Sequence, residues 1–283
     1  MPQRLKVGKS KVTPCKHDLL NSLLGREAGV MKGNPMGFNS YGIVDLTAGD
    51  GVPYGSEFTR GCSPGVIMKH SKWIAQHTSV IPKILFIEKQ EVTYERLRAN
   101  LEQGFESLDL GQFGDRIRMR TACMNSKEFK FQSNAVDAAF IYNDPNHIED
   151  WCLTPQLLNT VPKFTTSLST LGCNVGGLKR IDLDRRREWF HRVELISETI
   201  LQRWHDACLF SVGGADQWAY LITAPSVWRE SITQNCIKAA TKIEGREAAP
   251  QIAWRKDDPA AFYQLERFLF LTKQEFNDGC ELV

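Results

Sequence analysis

Short apolar runs alternate with longer segments of helical periodicity along most of the chain. "YGIVDL" (41–46), "KILFIEK" (83–89), "RIRMRTA" (116–122) and "NAVDAAFIYND" (134–144) are β-branched or aromatic runs of strand length. After the first of them, "GVIMKHSKWIAQH" follows Ser63-Pro64, which predicts a helix with Ser63 as N-cap and Pro64 at the first helical position. "EVTYERLRANLEQGF" spaces its apolar residues as a helix does. Beyond the fourth run, "TPQLLNTVPKFTTSL" reads as a helix interrupted at a proline, "STLGCNV" as a strand, and "DRRREWFHRVELISETILQRW" as a long amphipathic helix. The alternation then stops. "ACLFSVGGADQWAYLITAP" sets two strand-like runs around Gly-Gly-Ala-Asp-Gln, a hairpin with no helix between. This order predicts an α/β fold: a Rossmann-like sheet, mostly parallel, closed by a C-terminal antiparallel hairpin, with helices on both faces. Residues 1–224 form that domain, and 225–283, including "QIAWRKDDPAAFYQLERFLFLTKQEF", read as a helical extension packed on it.

Composition narrows the setting. In 283 residues, 42% hydrophobic and 24% charged, no apolar run approaches the roughly 20 residues a bilayer span needs, so no membrane association is expected. "MPQRLKVGKSK" is basic but is not followed by the apolar stretch of a secretory signal, and a cytoplasmic location is expected. The eight cysteines are scattered without a C-x-x-C pair, which predicts reduced thiols and neither a zinc site nor a disulfide framework. A net charge of +2 does not announce a nucleic-acid binder. Two local stretches, "QRLKVGKSKVTPCKH" and "LKRIDLDRRREWFHR", can be either solvated surface or a basic face for nucleic acid.

Candidate chemistry begins at "VDLTAGDG" (44–51), an acid and a glycine turn directly after a strand. In an open α/β sheet such a turn lies at the carboxyl ends of the strands, where ligands bind. Gly49 and Gly51 let the backbone approach a ligand, Thr47 and Ala48 belong to the same turn, and Asp45 can receive an ammonium directly or through water. The second strand ends in Glu88, followed by Lys89; a carboxylate there can accept from both hydroxyls of a ribose. The separation of Glu88 from the glycines is longer than in a dinucleotide site, because "VPYGSEFTRGCSPG" delays the first helix. A pyrophosphate would lose its usual helix N-terminus, which disfavours NAD. After the third strand, Met124 and Asn125 can meet the face and amino edge of an adenine; Met124 can equally be a core side chain.

The terminal hairpin and these strand ends match the organisation of class I S-adenosylmethionine-dependent methyltransferases. "DLTAGDG", "GCSPGVIM", "LFIEKQ", the "DPNH" strand end and "GCNVGGLKR" together resemble the three-Cys-motif partner proteins, a methyltransferase-like branch found beside mobile and phage elements. The similarity covers roughly residues 10–224. It implies S-adenosyl-L-methionine as cofactor and a possible protein partner encoded nearby. The three-cysteine cluster of the family's name belongs to that neighbour.

Nucleic-acid amino-methyltransferases end the fourth strand in Asp or Asn, Pro, Pro and an aromatic. Here Asp144-Pro145 match and Asn146-His147 depart. The Asp144 carboxylate and the Pro145 carbonyl can accept from an exocyclic amine, while His147 can stack on the base and Asn146 can bond its edge. In the alternative reading the four residues are a polar turn that ends a strand. Asn174 can line the acceptor pocket, Lys179 and Arg180 can hold a phosphate, and Lys16 in "TPCKH" can close the pocket from the N-terminal side. The expected function is methylation of an exocyclic amine, with N6 of adenine in DNA first and RNA next. A non-catalytic methyltransferase-fold partner and a small-molecule methyltransferase are the alternatives.

Overall fold

The structure, a computed structural model, describes residues 13–34, 36–55, 57–132, 134–145, 152–170, 202, 205–212, 218–241 and 251–254. The helices are α1 (Thr13–Gly33), α2 (Phe58–Gly61), α3 (Ser63–His77), α4 (Glu91–Ser107), α5 (Pro155–Leu158) and α6 (Arg229–Thr241). The strands are β1 (Ser40–Asp45), β2 (Ile81–Glu88), β3 (Arg118–Cys123), β4 (Ala138–Asn143), β5 (Phe164–Thr170), β6 (His205–Val212), β7 (Trp218–Pro225) and β8 (Gln251–Trp254). They form one eight-stranded sheet in the order β3-β2-β1-β4-β5-β7-β6-β8. Strands β1 to β5 are parallel, and β7 enters antiparallel between β5 and β6.

The sheet grows from β1 in one direction to β2 and β3, and in the other to β4 and β5. Right-handed crossovers running in opposite directions put α3 and α4 on one face and α5 on the other. The gap between the two sets of loops lies above β1 and β4, the switch point at which open α/β sheets bind ligands. All six positions of β1 and of β4 are buried, which explains why their sequences read as continuous apolar runs without alternation.

On one face, α1 packs against α3 and α6. Its buried stripe, Leu20, Leu24, Ala28 and Met31, recurs at helical spacing. Glu27 lies within this packing, fully buried; Thr166 of β5 donates to its Oε1 at 2.8 Å and Arg26 pairs with the same oxygen. Burial pushes the Glu27 carboxyl up, opposed by the Arg26 guanidinium. α6 is held by Arg229, whose Nε donates to the buried Asp206 of β6 at 2.8 Å. No helix among the described residues is long and apolar enough to cross a membrane.

Three expectations need correction. "FTTSL" is not the end of a helix: α5 has only four residues, and Phe164–Thr170 forms β5. Pro162 stops the helical reading, and the Thr and Ser side chains that disguise the strand are buried against partners, such as Ser167, which bonds Thr223 of β7. Ser63 does not cap α3: it is the first helical residue and its hydroxyl is directed to Asp45, while Cys62, the N-cap residue, makes no side-chain capping bond. Gln251–Trp254, read within a helical tail, pairs with β6 as an edge strand. The helix read over 184–204 lies outside the described residues except residue 202, and "STLGCNV" does so after Thr170.

Candidate active site

The carboxyl ends of β1, β2, β3 and β4 converge on one cavity of about 130 Å3, lined by Leu46, Thr47, Glu88, Lys89, Asn125, Ser126, Lys127, Asp144, Pro145 and Cys152. Thus Thr47, Glu88, Lys89, Asn125, Asp144 and Pro145, separated by up to 98 positions in the chain, are neighbours in the fold.

The loop after β1 is fixed at both ends. Asp45 is fully buried; its Oδ1 accepts from the Thr47 backbone N–H at 3.0 Å and its Oδ2 from the Ser63 hydroxyl at 2.6 Å. Burial raises the Asp45 carboxyl to about 7, in spite of those two bonds. The Ala48 N–H donates to the Ile87 carbonyl at 3.0 Å, so the loop leans on β2. Gly49 and Gly51 have φ of +63° and +68°, the left-handed region that favours glycine. A Cβ on Gly49 would meet nothing within 4 Å, so the space over this turn is open.

Glu88 is partly exposed at the end of β2, and its Oε1 accepts from the Gln90 N–H at 2.8 Å. The Met124 N–H donates to the Glu88 carbonyl at 3.1 Å, bringing the exit of β3 beside it. Asn125 is exposed and caps a short 3-10 turn by accepting from the Lys127 N–H at 3.1 Å. Below it, the buried Ser126 hydroxyl donates to the Leu46 carbonyl and ties this wall to the β1 loop.

Asp144 follows β4 directly. The register pairs Asn143 with Ser169, which brings the next residues, Asp144 and Thr170, side by side. The Thr170 hydroxyl donates to Asp144 Oδ1, and Lys16 of α1 donates to the same oxygen at 2.8 Å. From the other side, the Asp144 N–H donates to Thr47 Oγ1 at 2.7 Å, joining the β4 and β1 loops. Burial alone would raise this carboxyl; the Lys16 ammonium and the bonds from Lys16 and Thr170 outweigh it and hold Asp144 below the usual carboxylate range. Beside the pair, buried His17 has its imidazole lowered to about 4 by desolvation, so it is neutral at pH 7.

The arrangement offers an anionic acceptor at the switch point, an open glycine turn and a second carboxylate at the cavity wall. Asn146, His147, Asn174, Lys179 and Arg180 lie outside the described residues. Thr170 and Ser126 were not picked out from the sequence, and Ser63 was read only as a helix N-cap. A hydroxyl gains its role here from register and loop contact, neither of which leaves a motif.

No protein-family model matches the chain, and no curated protein matches it. Among solved structures, protein LPL1258 from Legionella pneumophila superposes with a TM-score of 0.52 at 11% identity, covering 87% of this chain and 97% of the other. An O-methyltransferase from Bacillus cereus, solved in complex with SAH, gives a TM-score of 0.39 at 15% identity, covering 78% and 84%. With β7 antiparallel between β5 and β6 at the end of a parallel sheet ordered β3-β2-β1-β4-β5, the chain has the class I methyltransferase fold.

Proposed function

We propose that the protein is an S-adenosylmethionine-dependent methyltransferase acting on an exocyclic amine of a nucleic acid, N6 of adenine in DNA first and RNA next. The observation that carries this reading is Asp144: an anionic carboxylate at the end of β4, held by Lys16 and Thr170 and tied through Thr47 to the glycine loop.

The residues of the cavity fit the cofactor. Gly49 leaves its side of the turn open, Glu88 presents a carboxylate to a ribose diol, and Met124 and Asn125 stand beside it for the adenine. Lys89 and Thr47 complete the mouth, while Asp45, buried beneath, shapes the loop through Thr47 and Ser63. S-adenosylmethionine, when bound, supplies an electrophilic methyl group. The acceptor amine is a poor nucleophile because its lone pair is delocalised into the base. Asp144 and the Pro145 carbonyl accept from its two N–H groups and favour the pyramidal form in which the lone pair can attack. In this reading Asn146 bonds the edge of the base and His147 stacks on it, with Asn174, Lys179 and Arg180 around the acceptor and a phosphate. The resemblance to the three-Cys-motif partner proteins adds a protein encoded nearby as partner, and a cytoplasmic location belongs to the same proposal.

One observation favours a second reading. Asp144 Oδ1 already accepts from both Lys16 and Thr170, which suits a methyltransferase-fold partner protein that binds cofactor without turnover. Incubation with labelled S-adenosylmethionine and duplex DNA, single-stranded DNA, RNA and a small-molecule pool separates the cases. Label in nucleic acid, lost in Asp144→Ala, is the expected result; cofactor binding without incorporation anywhere selects the second reading, and label only in the small-molecule pool rejects the nucleic-acid acceptor.

A further inference from the structure

We propose that the outer face of β2 and β3, carrying Lys83, Arg118 and Arg120, is a track for the phosphate backbone of the nucleic-acid substrate. This rests on the nucleic-acid reading above and names the surface along which that substrate lies.

The face is defined by alternation. On β3, Met119 packs against the core, and Thr121 Oγ1 lies 3.0 Å from the Tyr94 hydroxyl of α4, so these two residues face the helices. Arg118 and Arg120 therefore point to the opposite side of the sheet, and both are exposed. The register sets Lys83 of β2 beside Arg118 and Leu85 beside Arg120, both partly exposed. Lys83 Nζ donates to the Ala135 carbonyl at 2.6 Å, so the chain between β3 and β4 crosses this same side.

Three cations thus share a face of an edge strand and its neighbour. Arg118 and Arg120 are about 6.6 Å apart along the strand, which lets the two guanidinium groups meet separate phosphates of one nucleic-acid strand. The row also leads somewhere. Arg120 is three residues before Cys123, which pairs with Glu88 at the cavity wall, and Lys89 and Lys127, both exposed, line the cavity. A polyanion lying along Arg118 and Arg120 meets Lys89 and Lys127 at the cavity, beside the carboxylates Glu88 and Asp144. Charged residues on an edge strand also discourage pairing with another sheet. That role needs charge of either sign, whereas both exposed charged residues of β3 on this face are arginines.

The test uses the full-length protein and fluorescein-labelled 20-nucleotide single-stranded and duplex oligonucleotides, with affinity followed by anisotropy over a salt series. Arg118→Ala/Arg120→Ala should bind at least about fivefold more weakly at low salt, and the slope of log affinity against log salt should flatten by about 1.4–1.8. Arg118→Lys/Arg120→Lys keeps the charge and should keep the slope, which guards against a folding artefact. Equal affinity and slope for wild type and the alanine variant would overturn the track. So would wild-type binding to phosphatidylserine vesicles in place of oligonucleotides. Methyl incorporation into nucleic acid, measured in parallel, keeps the two ideas apart: incorporation with an unchanged slope rejects the track alone, and label confined to small molecules rejects the functional reading with it.

Discussion

Lys16 Nζ lies 2.8 Å from Asp144 Oδ1, so the first described helix is tied to the residue that follows β4. Both side chains are largely shielded, 10% and 20% exposed, and the pair is worth more than a solvent-exposed one. Asp144 is the depressed-carboxylate case: its contribution to stability is present above the unfolded-state pKa and is lost as pH falls through the folded one. Lys16→Met removes the main cause of the depression. It should destabilise the fold at pH 7 by about 1–3 kcal/mol and move the onset of acid unfolding to higher pH. Urea titrations at pH 7 and pH 4 check this; identical midpoints for variant and wild type at both would show that the pair contributes nothing.

Turnover should depend on Asp144 more than on any other described residue. Asp144→Ala is expected to lower kcat by roughly two to four powers of ten with cofactor affinity nearly intact, as loss of an interaction made in the transition state requires. Thr170→Val should give a smaller loss, since it removes one donor to the carboxylate and leaves the carboxylate itself. Methyl-transfer kinetics on the true acceptor decide it, and near wild-type turnover for Asp144→Ala would return the loop to a polar turn.

Glu88 is the expected ribose ligand. Glu88→Ala should weaken S-adenosylmethionine binding by about 1–3 kcal/mol, while NAD should show no binding to either protein. Calorimetry reads both, and an unchanged affinity in the folded variant rejects the assignment.

Asp45 gives a pH signature of opposite sign to Asp144. Its carboxyl is raised to about 7 by burial, so the native state holds a proton that the unfolded chain releases at lower pH. The associated stability is fully present below the unfolded value and declines as pH rises to about 7. Asp45→Asn, neutral throughout, should lack this decline and gain relative to wild type between pH 5 and pH 8, by at most roughly 4 kcal/mol. Melting temperatures across that range would refute the idea if the two proteins fell in parallel.

Gly65 has no room for a side chain: a Cβ there would overlap the Phe58 carbonyl, which is backbone and cannot swing away. Gly65→Ala should cost about 1–3 kcal/mol by overpacking. Gly29→Ala, where nothing lies within 4 Å, should cost nothing and is the control in the same denaturation series.

Much of the parallel sheet was legible because β1, β2 and β4 are buried enough to read as apolar runs, and the β6–β7 hairpin because its turn residues interrupt two such runs. The glycine loop, Glu88 and Asp144 followed, since each sits where a strand stops. β5 was misplaced for a physical reason: Thr165, Thr166, Ser167, Ser169 and Thr170 are buried polar residues, and their burial depends on partners far away in the chain, such as Glu27 and Thr223. With β5 unplaced, Thr170 could not be set beside Asp144. α1 was hidden by the basic residues that surround it, and the use of Lys16 as an ion-pair partner needs a contact over 128 positions. Ser63 shows how a local rule yields to tertiary contact, its hydroxyl being drawn from the helix start to Asp45.

That last bond also closes a ring. Asp45 and Ser63 are 18 positions apart, and their contact, with Phe58 wedged against Gly65 and Gly104, keeps both ends of the intervening segment in place. Its tip, Tyr54-Gly55, is exposed, and Gly55 has open space around it. A lengthened loop costs little closure entropy when its ends are already pinned. Gly55 is therefore the natural place to graft an affinity tag or a reporter peptide, an attachment point on the cavity side of the sheet that leaves both carboxylates and the glycine turn as they are.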